Sequence, residues 1–364
     1  MFKYYGKIID NIENNTSNFG GDFMKLKFLI LGFVCLFQLA IFSSVEAGLI
    51  SEKQEIEIGA QTTQKLEAEY PVSKDQAINV EMDRIARKLL PYSERQGLQY
   101  TFKVLDDSMV NALAIPGGYV YTFQGLMDYM PEEHLRAAVI GHEIGHVAKK
   151  HSVHAMEKQL GIGLILSIAI GDKYNQIQNL FMKSVFASYS RKDEREADQK
   201  GFEYSTKAGY NPYSMMMSLN RLANLPNQPK TNLFSEHPSS EARIDTLKKN
   251  MAEFGIRPMV QGEKKKEIHL VDGNWAWPKM TASNRQGYDP AYRAYAFAGK
   301  LSILDRNGEF DPNKLKIRGN AIYHGETYLM EFTEEDASAL RISHSAYLEQ
   351  ILKATKEWPR KQSK

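Results

Sequence analysis

The sequence predicts a mostly helical α+β fold, with a small antiparallel sheet beside one long helix and a second, smaller α+β domain at the C-terminus. Three observations carry this expectation. Apolar residues at helical spacing dominate residues 50–255. Two short alternating runs, 99–105 (LQYTFKV) and 118–123 (GYVYTF), read as half-buried strands. The texture then changes after a stretch rich in Lys, Gly and Pro at 256–267, which reads as a linker. The tail, 268–364, holds all three tryptophans (Trp275, Trp277, Trp358) and strand-like runs such as 328–332.

Composition bounds the function. With 364 residues, 43% hydrophobic and 25% charged, the chain is neither disordered nor too small for a core. Its 46 basic and 44 acidic residues leave a net charge of +2, which argues against a polybasic nucleic-acid binder. One cysteine excludes an intrachain disulfide framework and a Cys-ligated zinc finger, whereas nine histidines suffice for a His-ligated metal.

Along the chain, residues 1–23 are polar and aperiodic, and read as a misassigned or disordered extension ahead of Met24. Lys25 and Lys27 precede an apolar run at 28–42, and Ser43, Ser44 and Val45-Glu46-Ala47 follow. This order of basic, apolar and small residues makes 24–47 a secretory signal. The run is shorter than the ~20 residues that span a bilayer; the alternative is an uncleaved anchor formed by 28–42. Cleavage after Ala47 leaves a mature chain without cysteine, suited to an oxidising compartment.

Residues 50–70 and 74–91 read as amphipathic helices, the second presenting Ile78, Met82, Ile85, Ala86 and Leu89 on one face. Residues 111–118 read as a short extended piece ending in a turn. One long helix is expected from Pro131 to about Gln159, with Pro131, Glu132 and Glu133 suited to its first turn. The apolar stretch 160–171 is too short to cross a bilayer. It reads as a buried helix or the wall of a cleft, with peripheral membrane contact as the alternative. Further helices are expected at 174–190, 191–208, 212–224 and 239–253, with a break at Gly209 and Asn211-Pro212.

The long helix contains His142-Glu143-Ile144-Gly145-His146. Residues four apart on a helix differ by about 40° of rotation, so both imidazoles can reach one ion. Glu143 lies about 100° round from His142, flanking that ion where a general base belongs. Two imidazoles and no thiolate suit zinc. Gly141 and Gly145 each cost a helix about 1 kcal/mol relative to alanine, which implies a close approach of backbone or substrate. His151, nine residues from His142, falls about 180° round an ideal helix and is assigned to packing or capping. Downstream, Glu194 and Asp198 share a helix face. They can supply a third ligand and a carboxylate behind a ligand histidine, or form a solvated charge run.

His142-Glu-Ile-Gly-His146, followed by Ser190-Arg-x-x-Glu194-x-x-Ala197-Asp198, resembles the M48 family of zinc metallopeptidases, which are gluzincins. The resemblance covers roughly residues 50–255. It implies one zinc per chain held by His142, His146 and Glu194, with Glu143 as catalytic base and Asp198 behind the ligands. Asn111, Ala112, Leu113 and Ala114 resemble the family's substrate-aligning edge strand. His237 resembles its His-Pro histidine, and either His237 or Arg243 could stabilise an oxyanion, although Arg243 could equally pair with an acid. The likeness to secreted bacterial members implies a periplasmic endopeptidase acting on misfolded or unassembled envelope proteins. It also implies a link to outer-membrane assembly machinery. The alternative is a chaperone or assembly factor whose proteolysis is held latent by His237.

Overall fold

The computed structural model describes residues 50–158, 189–225, 241–263, 266–284 and 287–359. The expected signal and its upstream extension, the apolar stretch 160–171, most of the helix expected at 174–190, and His237 lie outside the described residues. From Glu52 onward the chain forms one compact unit. Among the described residues no helix is long and apolar enough to cross a membrane.

The first half runs through α1 (Glu52–Glu69), α2 (Gln76–Leu89), β1 (Thr101–Leu105), β2 (Ala112–Ile115), β3 (Tyr119–Phe123), α3 (Gln124–Tyr129) and α4 (Glu133–Ala148). Asp75 caps α2, its carboxylate accepting the Ala77 and Ile78 N–H groups. The apolar stripe of α2 buries Met82, Ile85, Ala86 and Leu89 against Phe102 and Val104 of β1, Val120 of β3, and Ile140 and Ile144 of α4. Met82, Ile85 and Leu89 each contribute roughly 1.5–3 kcal/mol of hydrophobic burial.

The sheet is mixed, not antiparallel as expected. Its order is β1-β3-β2, with β1 parallel to β3 and β2 antiparallel to it. Residues 106–111 carry the chain past one strand position before β2 begins, and the Pro116-Gly117-Gly118 turn then feeds β3 into the gap. The middle strand must therefore run in the direction of β1. Gly117 and Gly118 adopt left-handed conformations, φ 80° and 97°. A Cβ on Gly117 would lie 2.7 Å from Ile56 Cα, so α1 packs directly on the turn. Glu55 of α1, only 1% exposed, accepts the Gly117 N–H at 3.1 Å and two Arg95 hydrogen bonds at 2.8 and 3.0 Å.

That clamp explains a second departure. The helix expected to run on to Gln159 stops at Ala148, Lys150 adopts φ 56°, and helical structure resumes over 151–158. The Val147 carbonyl, which a continuous helix would offer to the residue at 151, accepts the Lys150 N–H and an Arg95 N–H instead, both at 3.1 Å.

The chain continues with α5 (Arg191–Lys207), α6 (Ser214–Ala223) and α7 (Glu241–Glu253). A capping box starts α5, with Ser190 and Asp193 bonding each other's backbone. Glycines set how closely α4 and α5 pack. A Cβ on Gly141 would lie 3.2 Å from Gly201 Cα, one on Gly145 2.9 Å from Lys200 Cβ, and one on Gly201 2.9 Å from the Ala138 carbonyl oxygen. The close approach inferred from Gly141 and Gly145 is thus to the backbone of α5.

The stretch expected as linker contains β4 (Met259–Glu263), which pairs antiparallel with β5 (Lys266–Asp272); β5 pairs with β6 (Trp275–Ala276). Then come α8 (Pro290–Arg306), an antiparallel meander of β7 (Leu315–Arg318), β8 (Ala321–His324) and β9 (Thr327–Glu331), α9 (Glu334–Ala339) and α10 (His344–Lys356). One hydrophobic cluster joins Phe202, Met215, Met216 and Leu219 to Leu270, Trp277, Phe297, Leu301 and Tyr347, so the core continues across the expected linker.

Candidate metal centre

His142 and His146 project from α4 and Glu194 from the first turn of α5, all three buried. Their ligating atoms converge. His142 Nε2 and His146 Nε2 are 3.0 Å apart, His146 Nε2 lies 3.6 Å from Glu194 Oε1, and His142 Nε2 lies 3.8 Å from Glu194 Oε2. Ligands bound at about 2.0–2.2 Å in a tetrahedral site stand about 3.3 Å apart, and these separations straddle that value. Among the described residues this is the group of His, Cys, Asp and Glu whose atoms could hold an ion.

Asp198, one turn along α5 and 1% exposed, lies 3.0 Å from His142 Nδ1 through Oδ1. Burial opposes its charge, but the charge and hydrogen bonds of Arg243, with the His142 bond, hold its carboxyl far below the ordinary value. A group that stays a carboxylate can only accept. The His142 proton therefore sits on Nδ1, and Nε2 turns its lone pair toward His146 and Glu194.

Arg243, on α7 and 4% exposed, donates to Asp198 through Nε and Nη2, each at 2.6 Å, and its Nη1 lies 3.1 Å from Glu194 Oε2. Burial lowers its pKa, yet the charge of Asp198 and its hydrogen bonds, then Glu194 and Glu143, raise it above the ordinary value. Of the two uses open to Arg243 in the sequence, the structure places it on acids. Glu143 is fully buried beside His142. Two buried carboxyl groups, of Asp198 and Glu194, thus meet one guanidinium with Glu143 buried in the same region, and a divalent cation would offset surplus negative charge there.

His151 is 3% exposed, with Nδ1 2.9 Å from His146 Nδ1. Ideal-helix rotation had removed it from the site; the reversal at Lys150 brings it back. Tyr189 stacks on His146, its ring 4.0 Å away at 22°, and lies 6.2 Å from the His151 ring. Nothing in the sequence marked Tyr189.

The expected edge strand is β2, bordered by β3 on one side. Asn111 is buried just before it. Its side-chain oxygen accepts the Ala112 N–H at 2.9 Å, and its carbonyl accepts the Phe123 N–H at 3.0 Å. Alternation along an antiparallel ladder then turns Leu113 toward β3 and the backbone groups of Ala112 and Ala114 away from it. Ser152 reaches that outer edge, donating to the Ala114 carbonyl at 3.2 Å, and its hydroxyl lies 2.7 Å from that of Tyr189.

Residues 74–251 match the profile of peptidase family M48. The chain is 32% identical to the metalloprotease LoiP of Escherichia coli (strain K12) over 168 residues, 44% of this chain and 66% of LoiP. It is 28% identical to the mitochondrial metalloendopeptidase OMA1 of Arabidopsis thaliana over 190 residues, 51% of this chain and 39% of OMA1. It is 25% identical to the beta-barrel assembly-enhancing protease of Escherichia coli (strain K12) over 227 residues, 58% of this chain and 46% of that protein. The chain therefore spans less than two thirds of the length of each of these relatives.

Proposed function

We propose that the protein, whose residues 74–251 match the profile of peptidase family M48, is a zinc-dependent metalloendopeptidase. The observation that carries this is the convergence of His142 Nε2, His146 Nε2 and the Glu194 carboxylate from two helices, with Glu143 buried beside them. Zinc, when bound, supplies a Lewis acid that polarises a scissile carbonyl and acidifies water.

The chain's own residues do the rest. Glu143 takes the proton from the attacking water and delivers it to the leaving amine. Asp198 holds His142 in the tautomer that turns the Nε2 lone pair toward His146 and Glu194. Arg243 fixes Asp198 and Glu194 together, a positioning role that its two 2.6 Å bonds support over contact with substrate. The outward backbone groups of Ala112 and Ala114 would align an extended peptide by strand addition.

Glu143→Gln keeps carboxylate-like volume but cannot take up the proton. It is expected to retain zinc and to lower casein cleavage by about 10²–10⁴-fold. Cleavage at the wild-type rate would remove Glu143 from the mechanism.

The substrates that suit this reading are unfolded or misassembled envelope proteins, with outer-membrane assembly as the setting. The printed name of the assembly-enhancing relative and the secretory pattern at 24–47 support it. We place residues 268–364 outside the chemistry, as a region that completes the core behind α5 and α6.

A further inference from the structure

The 2.9 Å contact between His146 Nδ1 and His151 Nδ1 needs one donor and one acceptor. The other nitrogen of His151 settles which is which. His151 Nε2 faces two carboxylates, Glu196 Oε2 at 3.5 Å and Asp193 Oδ1 at 3.9 Å. Carboxylates accept, so the proton of a neutral His151 ring belongs on Nε2 and its Nδ1 is the acceptor. His146 must then donate from Nδ1, which leaves its Nε2 lone pair directed at His142 Nε2 and Glu194.

We propose that His151 is a positioning residue: it sets the tautomer and ring orientation of His146, as Asp198 does for His142. The proposal rests on the reading that His142, His146 and Glu194 hold a metal. The ring of His146 is fixed from two directions, by Tyr189 stacked at 22° and by His151 standing at 75°. On an uninterrupted helix, residue 151 would lie about 140° round from residue 146, out of reach. The left-handed Lys150 supplies the turn that closes this distance. Ser152, bonded to the Ala114 carbonyl and close to the Tyr189 hydroxyl, anchors the returning segment on β2. The outer edge of the strand and the ligand geometry are therefore held by adjacent residues.

The test is zinc affinity of the full chain, measured by competition with a chromophoric chelator. His151→Phe keeps a ring and removes the acceptor, and should weaken zinc binding 10- to 100-fold. His151→Asn, whose side-chain oxygen can accept near the position of Nδ1, should stay within about threefold of wild type, by the same reasoning about partners of ligand histidines. Unchanged affinity in His151→Phe, or an equal loss in both variants, would overturn the proposal while leaving the metal reading intact. A wild-type chain that binds no zinc would overturn both. Should His151→Phe fail to fold, nitrogen NMR of histidine-labelled, zinc-loaded wild type decides the matter. A protonated Nε2 and bare Nδ1 on His151 are expected, and a protonated Nδ1 there contradicts the assignment.

Discussion

Arg243 meets Asp198 through Nε and Nη2, each at 2.6 Å, and Arg293 meets Asp336 at 2.8 Å; all four side chains are at most 4% exposed. The first pair lies beside the metal ligands and the second in the C-terminal region. They differ in what else the aspartate holds. Asp198 spends its further contact on His142 Nδ1. Asp336 Oδ1 accepts the N–H groups of Thr281 and Ala282, and Oδ2 accepts the N–H and hydroxyl of Thr333. Arg293 in turn donates to the carbonyls of Ala282 and Glu331. One pair orients a side chain with a lone pair to offer; the other ties the backbone at Thr281-Ala282 to the end of β9 and the start of α9. Burial and charge are alike, so only the third partner separates a site from a strut.

The largest expected effect is in the strut. Arg293→Met leaves Asp336 charged and buried, and should cost about 3–5 kcal/mol of stability in urea unfolding. The zinc affinity of the folded fraction should match wild type. Weakened zinc binding there would erase the distinction between the two pairs.

Next comes the site. Asp198→Leu removes the acceptor from His142 and should weaken zinc binding 10- to 100-fold, about 1.4–2.7 kcal/mol, read by chelator competition. A variant that loses stability alone would make Asp198 another strut.

A gentler contrast uses single hydroxyls. Ser152→Ala frees the Ala114 carbonyl on the outer edge of β2, and a peptide strand no longer competes with a bond worth about 1 kcal/mol. The KM for an extended peptide should fall by up to about fivefold; a higher KM would contradict pairing at that edge. Tyr347→Phe removes a bond to the Lys279 carbonyl in the C-terminal region. It should cost about 1 kcal/mol of stability and leave KM alone.

The smallest effect lies at the surface. Arg84 and Glu133 pair with side chains 53% and 36% exposed. The Arg84 hydrogen bond, against the pull of burial and helped by Tyr210, lowers the Glu133 pKa from 4.5 to about 2. The resulting stabilisation is present above pH 4.5 and is lost as pH falls from 4.5 toward 2. Glu133→Gln should slightly flatten that acid limb and cost less than about 1 kcal/mol at neutral pH. An alkaline effect would have the wrong sign.

What the sequence made legible follows from local periodicity. The facing of His142 and His146, the stripe of α2 and the strands β1 and β3 all depend on residues within one or two turns of each other. Gly141 and Gly145 even announced a close neighbour, though not that Gly201 would meet them. The kink at Lys150 was invisible because nothing in Lys149-Lys150-His151 opposes a helix. Arg95, more than fifty residues upstream, takes up the carbonyl of Val147. The mixed sheet escaped for a similar reason, since strand order depends on where 106–111 cross rather than on alternation within a strand. The partners of Arg243 were open in the sequence because an arginine on α7 could meet either a substrate or an acid on α5. The linker reading missed β4, where Val260 alternates into a core supplied by the tail.

The central claim is that His142, His146 and Glu194 bind one metal ion. Anomalous diffraction from crystals grown with zinc, recorded on both sides of the zinc edge, tests it most directly. One strong peak per chain within about 2.0–2.2 Å of His142 Nε2, His146 Nε2 and the Glu194 carboxylate is expected. A peak that leaves Glu194 uncoordinated, or no peak between α4 and α5, would contradict the account.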